Sequence, residues 1–273
     1  MSEAWQSEYV TVEGVELGVC RTGRTNPPIV LVHGITDSGL CWTRLARALE
    51  ARWDVIMVDA RGHGQSAHPR SYSFAEHVRD LTGVLDALDL QEPVLVGHSM
   101  GGPHVAAVAA ALPDRVRAVV LVDPHWSLNA EDPVVYDLPA WQAGIAADNR
   151  RSLQDLLDIG RKDNPAWAEE DLQPWARAKQ VVDPKVPTWL HSTVDLDSWP
   201  MIVSRIRCPA LLVTGDPSVD ENVTVRPEGA DKARLLCPTL TVAHIPGAGH
   251  SIHRDQYGPF LAAVTNFLDG HLE

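Results

Sequence analysis

Cysteine is scarce in this sequence, and the few cysteines lie far apart. The four residues are Cys20, Cys41, Cys208 and Cys237, and no two of them form a CxxC pair. Zinc sites and disulfide frameworks both depend on cysteines at close, repeated spacings. We therefore predict four reduced cysteines, no structural zinc and a cytoplasmic protein.

Long apolar runs and an excess of basic residues are also missing. No stretch approaches the roughly 18 apolar residues of a membrane span, and the charged N-terminus MSEAWQSEYV has no apolar centre of a signal peptide. The formal net charge of −13 disfavours nucleic acid and anionic membranes as partners, because both attract basic patches. The chain also lacks HExxH, GxGxxG and GxxxxGK(S/T) motifs, so we predict no metal, no nucleotide and no other cofactor.

What the chain does have is an alternation of short apolar runs with helical patterns. Unbroken Val/Ile/Leu runs separated by helices indicate an α/β fold, in which a mostly parallel sheet carries helices on both faces. The first run contains a hairpin turn at Glu13-Gly14. The predicted strands lie in YVTVEGVELGVC, PPIVLVHG, DVIMVDA, PVLVG, VRAVVLVDP, CPALLVTGD and LTVAHIPG.

The alternation stops between about Pro124 and Arg207, where helix-like pieces occur without a convincing strand. We predict a core domain made of residues 1–123 and 208–273, and a helical cap inserted at 124–207. Ligands of open α/β sheets bind at the carboxyl ends of the strands, so an insertion that leaves from such an end can act as a lid. This segment holds six of the nine tryptophans: Trp126, Trp141, Trp167, Trp175, Trp189 and Trp199.

The stretch LVGHSMGG places a serine between two glycines where a buried strand meets a helix. The spacing Gly97-x-Ser99-x-Gly101 is typical of a nucleophile elbow, which pushes the serine Oγ out of the sheet. The N-terminus of the following helix faces the negative charge that develops during acyl transfer. Ser99 is therefore the candidate nucleophile.

A serine hydroxyl needs a base and a carboxylate that orients the base. His250 lies in the glycine-rich loop after the last predicted strand, at the sheet edge where Ser99 is expected, and is the candidate base. Three aspartates follow strands that end at this edge, namely Asp123, Asp216 and Asp220. The strand pattern leaves the choice among these three open.

Acyl chemistry also needs N–H donors for a tetrahedral oxyanion. The backbone N–H of Met100, directly after the candidate nucleophile, is one candidate. The turn after the strand PPIVL supplies another, the N–H of Ile35, and Gly34 lets that turn approach the substrate closely.

The motifs VHG, VDARGHGQS, GHSMGG, LVTGD and IPGAGH, in this order, resemble the α/β-hydrolase superfamily over nearly the whole chain outside the insertion. In the common pattern of this family the acid stands three residues beyond the glycine that ends the penultimate strand, and here that position is Ser218. Other members carry the acid at the end of the strand after the elbow, where Asp123 stands. The resemblance therefore favours Asp123.

The resemblance implies a serine hydrolase. We expect it to cleave a carboxylic ester or lactone of a largely apolar small molecule through an acyl-enzyme, with His125, Trp126 and Gly34 at the substrate. A C–C bond hydrolase of the same fold and a ligand receptor without turnover are the alternatives. We expect a monomer or a homodimer.

Overall fold

The computed structural model describes residues 5–126, 137–191 and 198–271. The chain divides into two compact units, which are described separately below. The first comprises Met1–Gln91 with Val135–Ser192, and the second comprises Glu92–Val134 with Thr193–Glu273.

Four strands of the first unit are neighbours in the order β1-β2-β4-β3. The first two form the predicted hairpin, in which Val12 pairs with Val15 across the two-residue turn. β2 and β4 are antiparallel, whereas β3 and β4 are parallel. The strands are β1 (Gln6–Val12), β2 (Val15–Arg21), β3 (Pro28–Val32) and β4 (Asp54–Val58).

The strands of the second unit are all parallel and follow the order β5-β6-β7-β8. Every residue of β5, β6 and β7 is buried, which accounts for their unbroken apolar sequences. Because the strands are parallel, the loops after their carboxyl ends emerge at one edge. The strands are β5 (Val94–His98), β6 (Ala118–Val122), β7 (Ala210–Thr214) and β8 (Leu240–His244).

Several helices of the first unit begin at side-chain caps. Ser73 caps α2 by accepting the N–H of Glu76, and Ser152 forms a reciprocal capping box with Asp155 at the start of α5. Two short 3₁₀ helices, Gly39–Trp42 and Val186–His191, also belong to this unit. The α-helices are α1 (Thr43–Leu49), α2 (Phe74–Ala87), α4 (Leu138–Asp148), α5 (Leu153–Asp163) and α6 (Glu169–Lys179).

The helices of the second unit connect and flank its parallel strands. One of them, α7, lies inside the predicted insertion and packs against α3 and α8. The helices are α3 (Gly101–Ala111), α7 (Trp199–Arg205), α8 (Pro227–Leu236), α9 (Ile252–Asp255) and α10 (Tyr257–Asp269).

The described part of the predicted insertion is helical and contains no strand within 137–191 or 198–207. Its first portion packs onto the core of the first unit: Arg44 of α1 forms an ion pair with the buried carboxylate of Asp171, at 3.0 Å. The N–H of Asp183 donates to the carbonyl of Gly62, at 2.8 Å. The two compact units therefore cut across the predicted core and cap, whose boundaries at 123/124 and 207/208 stay a prediction.

All four cysteines carry free thiols, and three of them are buried. Among the described residues, no helix combines the length and the apolar character that crossing a membrane requires.

Candidate active site

Ser99 follows β5 directly and occupies a strained turn. Its φ is +48°, in the left-handed region that a non-glycine residue seldom adopts. A Cβ on Gly97 would come within 2.4 Å of the carbonyl oxygen of Gly101, so only glycine lets the strand and α3 approach this closely. The Ser99 N–H donates to the carbonyl of Val122 at 3.0 Å, which ties the turn to β6.

Ser99, His250 and Asp123 form a continuous hydrogen-bonded chain. The Nε2 of His250 lies 2.9 Å from the Oγ of Ser99, and its Nδ1 lies 2.6 Å from the Oδ2 of Asp123. The three side chains come from the carboxyl ends of β5, β6 and β8, as the parallel order of these strands requires. All three belong to the second unit.

The partners of the imidazole define its tautomer. An ionised carboxylate only accepts hydrogen bonds, so the Nδ1 of His250 carries the proton that it donates to Asp123. In the neutral ring Nε2 is then an acceptor, and the Ser99 hydroxyl donates to it. This arrangement prepares the transfer of the serine proton to Nε2.

Asp123 is fully buried and is held by backbone donors as well as by the imidazole. Its Oδ2 accepts the N–H of Thr224 at 2.9 Å, and its Oδ1 accepts the N–H of Val225 at 2.9 Å. Its φ of +36° is again in the left-handed region. The carboxylate is therefore fixed in one orientation toward His250.

The two other candidate acids bond to the loops and do not bond to the imidazole. The Oδ1 of Asp216 accepts from the N–H and hydroxyl of Ser218, at 2.9 and 2.6 Å, and these bonds lower the pKa of Asp216. The Oδ2 of Asp220 accepts the backbone N–H of His250 at 3.0 Å. Of the three aspartates, Asp123 is the one that the structure brings to a ring nitrogen of His250.

The candidate oxyanion donors lie on two separate loops. Met100 is buried and immediately precedes α3 in the second unit. Gly34 and Ile35 follow β3 in the first unit, where the Nδ1–H of His33 donates to the carbonyl of Gly34 at 2.8 Å. The Nε2 of His33 accepts the N–H of Ala60 at 3.0 Å, so this ring braces the Gly34 turn.

His125 and Trp126 continue the chain directly beyond Asp123. The N–H of His125 donates to the carbonyl of Ser99 at 3.0 Å, and His125 is half-buried. Burial, together with repulsion from His250, lowers the pKa of His125 to about 4, against an opposing effect of Asp123. Trp126 is only 4% exposed and stacks face to face on Trp199 with ring centroids 4.6 Å apart.

Sequence reasoning missed several contacts of this site. It gave no sign that the Nε2–H of His98 donates to the carbonyl of His250 at 2.9 Å. It assigned no role to Thr36, which has a φ of +65° beside Ile35 and whose hydroxyl bonds to the ammonium of Lys179 on α6. Neither contact has a signal in the sequence, because both partners are far apart along the chain.

The chemistry that the hydrogen-bonded chain of Ser99, His250 and Asp123 can perform is that of a serine nucleophile with a histidine base.

Comparisons with known proteins agree with the fold and the motifs. Residues 27–256 match the family model described as alpha/beta hydrolase fold. A 2-(acetamidomethylene)succinate hydrolase of Mesorhizobium japonicum is 28% identical over 98% of this chain and 97% of its own length. Esterase YbfF of Escherichia coli is 30% identical over 89% of this chain and 94% of its own length.

The fold is also similar to that of a solved structure. The crystal structure of E-2-(acetamidomethylene)succinate hydrolase superposes with a TM-score of 0.80 at 25% identity, covering 97% of this chain and 99% of that one. The mostly parallel α/β architecture predicted from the sequence is thereby confirmed. The chain belongs to the alpha/beta hydrolase fold family.

Proposed function

We propose that this protein is a serine hydrolase that cleaves a carboxylic ester or lactone through an acyl-enzyme intermediate. The observation that carries the proposal is the hydrogen-bonded chain from Ser99 through His250 to Asp123, with distances of 2.9 and 2.6 Å. Such a chain is the arrangement by which a weak serine hydroxyl is activated. In this proposal Ser99 is the nucleophile, His250 the general base and Asp123 the residue that orients the base.

In the acylation step, the Oγ of Ser99 attacks the carbonyl carbon while its proton moves to the Nε2 of His250. The carbonyl oxygen becomes an oxyanion, for which the N–H groups of Met100 and Ile35 are the proposed donors. The imidazolium then gives its proton to the leaving alcohol oxygen, and the C–O bond breaks. Asp123 stabilises the imidazolium without itself taking the proton.

Deacylation repeats these steps with water as the nucleophile. The water oxygen attacks the acyl carbon and its proton moves to the Nε2 of His250. Collapse of the second tetrahedral intermediate breaks the bond to Ser99, whose Oγ takes the proton back from the imidazolium. The products are the carboxylic acid and the regenerated serine.

Two findings bear on the proposed substrate. The E. coli relative is named an esterase, which supports ester cleavage. His125, which burial keeps neutral, and Trp126 follow the proposed acid closely in the chain, and Trp199 stacks on Trp126. These groups support a largely apolar acyl group. The M. japonicum relative is named for a succinate with an acetamidomethylene group, so the substrate panel should include acylamino acids.

The experiment compares the wild type with Ser99→Ala on esters of graded acyl length, on lactones and on acylamino acids, and it treats both proteins with a fluorophosphonate probe. We expect rapid labelling and ester turnover by the wild type. We expect no labelling by the variant and a loss of kcat by a factor of about 10⁴–10⁶. Alanine keeps the Cβ of serine, so the melting temperature should not change.

Retention of more than about a tenth of the wild-type activity by the variant would rule out Ser99 as the nucleophile. Labelling of the wild type without turnover of any ester or lactone would contradict the proposed ester or lactone cleavage. That result would favour the C–C hydrolase or the ligand receptor.

A further inference from the structure

The base of the proposed triad is carried by a loop without regular structure. His250 follows β8 and a turn at 246–247, and 23% of its side chain is exposed. Its ring must nevertheless meet Ser99 on one side and Asp123 on the other at hydrogen-bonding distance. A side chain has only two rotatable bonds here, so the position of its own peptide groups decides whether both contacts form.

The N–H of His250 is held by Asp220. The Oδ2 of Asp220 accepts this N–H at 3.0 Å, while its Oδ1 accepts from the backbone and side-chain amides of Asn222, at 2.9 and 2.8 Å. Both carboxylate oxygens are therefore engaged and the group cannot rotate freely. Burial raises the pKa of Asp220, but these hydrogen bonds outweigh it and the pKa is lowered overall.

The backbone beside His250 is shaped to admit this carboxylate. A Cβ on Gly249 would lie 2.9 Å from the Oδ2 and 2.9 Å from the Cβ of Asp220. Any other residue at position 249 would push the loop away from Asp220. The close contact between Asp220 and Gly249 therefore depends on the conformation of both loops that carry them.

The carbonyl of His250 is held by His98. A carbonyl only accepts, so the Nε2 of His98 carries the proton of this 2.9 Å bond. The ring of His98 also packs on the ring of His250 with centroids 4.8 Å apart, and it is only 3% exposed. Since His98 directly precedes Ser99 on β5, this bond ties the base to the strand that carries the nucleophile.

We propose that Asp220 and His98 are positioning residues of the reaction, which hold the N–H and the C=O of His250 so that its ring bridges Ser99 and Asp123. This inference rests on the proposed function. It also gives the loop after β7 a role in this chain: its carboxylate holds the backbone of the base, while the carboxylate after β6 holds the ring.

The test uses one pair of variants at Asp220, which binds the N–H of His250, and one pair at His98, which binds its C=O. Asp220→Ala removes the acceptor, whereas Asp220→Asn keeps an oxygen that can accept the N–H of His250. His98→Leu removes the donor, whereas His98→Gln keeps an N–H in a similar position. Glu221→Ala, an exposed neighbour in the same loop, is the matched control.

A displacement of about 1 Å at a reacting group can cost about 10²-fold in rate. We therefore expect kcat to fall about 10-fold to 100-fold in Asp220→Ala and His98→Leu, with KM within about twofold of the wild type. Asp220→Asn and His98→Gln should recover most of the loss, and Glu221→Ala should behave as the wild type. A loss of melting temperature with unchanged kcat per folded molecule would overturn the proposal.

A readout without turnover separates this proposal from the function on which it rests. The proton between His250 Nδ1 and Asp123 should give a far-downfield NMR resonance, and it can be observed in the Ser99→Ala background. We expect Asp220→Ala and His98→Leu to broaden or shift it, and the two conservative variants to retain it. An unaltered resonance in Asp220→Ala and His98→Leu would contradict positioning, whatever the esterase assays show.

The size of the effect provides a further check. A loss in Asp220→Ala of about 10⁴-fold would match removal of the orienting carboxylate itself and would also overturn the proposal. If Asp220→Ala does not fold, Asp220→Asn and the two His98 variants, measured as folded proteins, test whether the backbone of His250 must be held.

Discussion

At the residue scale, the three candidate acids differ in the donors that their carboxylate oxygens bind. Those of Asp123 accept two backbone N–H groups and the imidazole. The Oδ2 of Asp220 accepts the backbone N–H of His250, and the Oδ1 of Asp216 accepts the backbone N–H of Ser218. A carboxylate can orient a base only by bonding to its ring, so the geometry favours Asp123 for that role.

Replacing Asp123 by asparagine should therefore be far more harmful than replacing Asp216. The amide has one acceptor oxygen for the three N–H donors that face Asp123, and its NH₂ presents the wrong partner to the imidazole. We expect Asp123→Asn to lower kcat about 10⁴-fold through the wrong tautomer. Asp216→Asn, at a partly exposed position of the loop after β7, should keep kcat within a fewfold of the wild type.

The control for this comparison is stability. Leaving a buried N–H without an acceptor costs about 1–3 kcal/mol, so Asp123→Asn should also melt at a lower temperature. The rates must be measured well below that temperature and normalised to folded protein. A crippled Asp216→Asn beside a nearly normal Asp123→Asn would transfer the orienting role to the loop after β7.

The nucleophile and base candidates could be predicted from the sequence. For the acid, the strand pattern left three aspartates, and only the family resemblance favoured Asp123. Ser99 stands in a local motif whose glycines are required by the turn. The acid has no such motif, because the loops after β6 and β7 start at the same edge of the sheet and together carry Asp123, Asp216 and Asp220. Which carboxylate reaches His250 depends on the path of residues 216–225, and the sequence pattern does not fix that path.

At the element scale, the junction of β5 and α3 is the tightest part of the site. The buried strand stops at His98, the turn residue has positive φ, and α3 begins at Gly101. This close packing is possible because Gly97 has no side chain. The same lack of space predicts the effect of adding a methyl group at position 97.

We expect Gly97→Ala to be strongly destabilising and to impair catalysis. Its Cβ would lie 2.4 Å from the backbone oxygen of Gly101, which cannot move without shifting the start of α3. Overpacking of this kind costs about 1–3 kcal/mol or more. The melting temperature and the rate of fluorophosphonate labelling should both be lower than in the wild type.

Gly144→Ala is the matched control for this substitution. Gly144 lies in α4, is exposed, and a Cβ there would meet no atom within 4 Å. Alanine should stabilise the helix by up to about 1 kcal/mol relative to glycine. A Gly144→Ala protein that melts as low as Gly97→Ala would show that the close approach at the elbow is not the cause.

The elements of the sheet could be read from the sequence more fully than the helices of the insertion. Each of the eight strands in the described residues overlaps a predicted run, because the buried parallel strands are unbroken apolar segments and the hairpin has a two-residue turn. The run 39–52 reads as one helix, yet Gly39–Trp42 forms a 3₁₀ turn before α1. Within 137–191 and 198–207, the number of helices and the residues at which they end depend on tertiary packing. The local sequence pattern does not predict that packing.

At the scale of the whole molecule, both compact units enclose histidines that are kept neutral. Burial, with repulsion from His33, lowers the pKa of His63 far below its ordinary value. In the second unit, burial and the charge of Arg254 lower the pKa of His253 far below its ordinary value. Burial also lowers the pKa of His77 to about 4. Each of these groups makes the free energy of unfolding depend on pH in the same direction.

The sign of that dependence follows from proton binding. An unfolded histidine has a pKa of about 6.5, so between that value and the lower pKa of the native state the unfolded chain binds more protons. The protein is therefore fully stabilised above about pH 6.5 and loses stability as the pH falls toward 4. For His77 alone, the difference amounts to about 2–3 kcal/mol between pH 6.5 and 4.5.

We expect His77→Gln to weaken this dependence, because the variant lacks the group that takes up the proton on unfolding. Urea unfolding of both proteins at pH 7.0 and 4.5 measures the effect, and the difference between them cancels the contribution of the net charge of −13. The wild type should lose about 2–3 kcal/mol more than the variant over this interval. Parallel losses in the two proteins would mean that His77 is protonated in the native state as easily as in the unfolded chain.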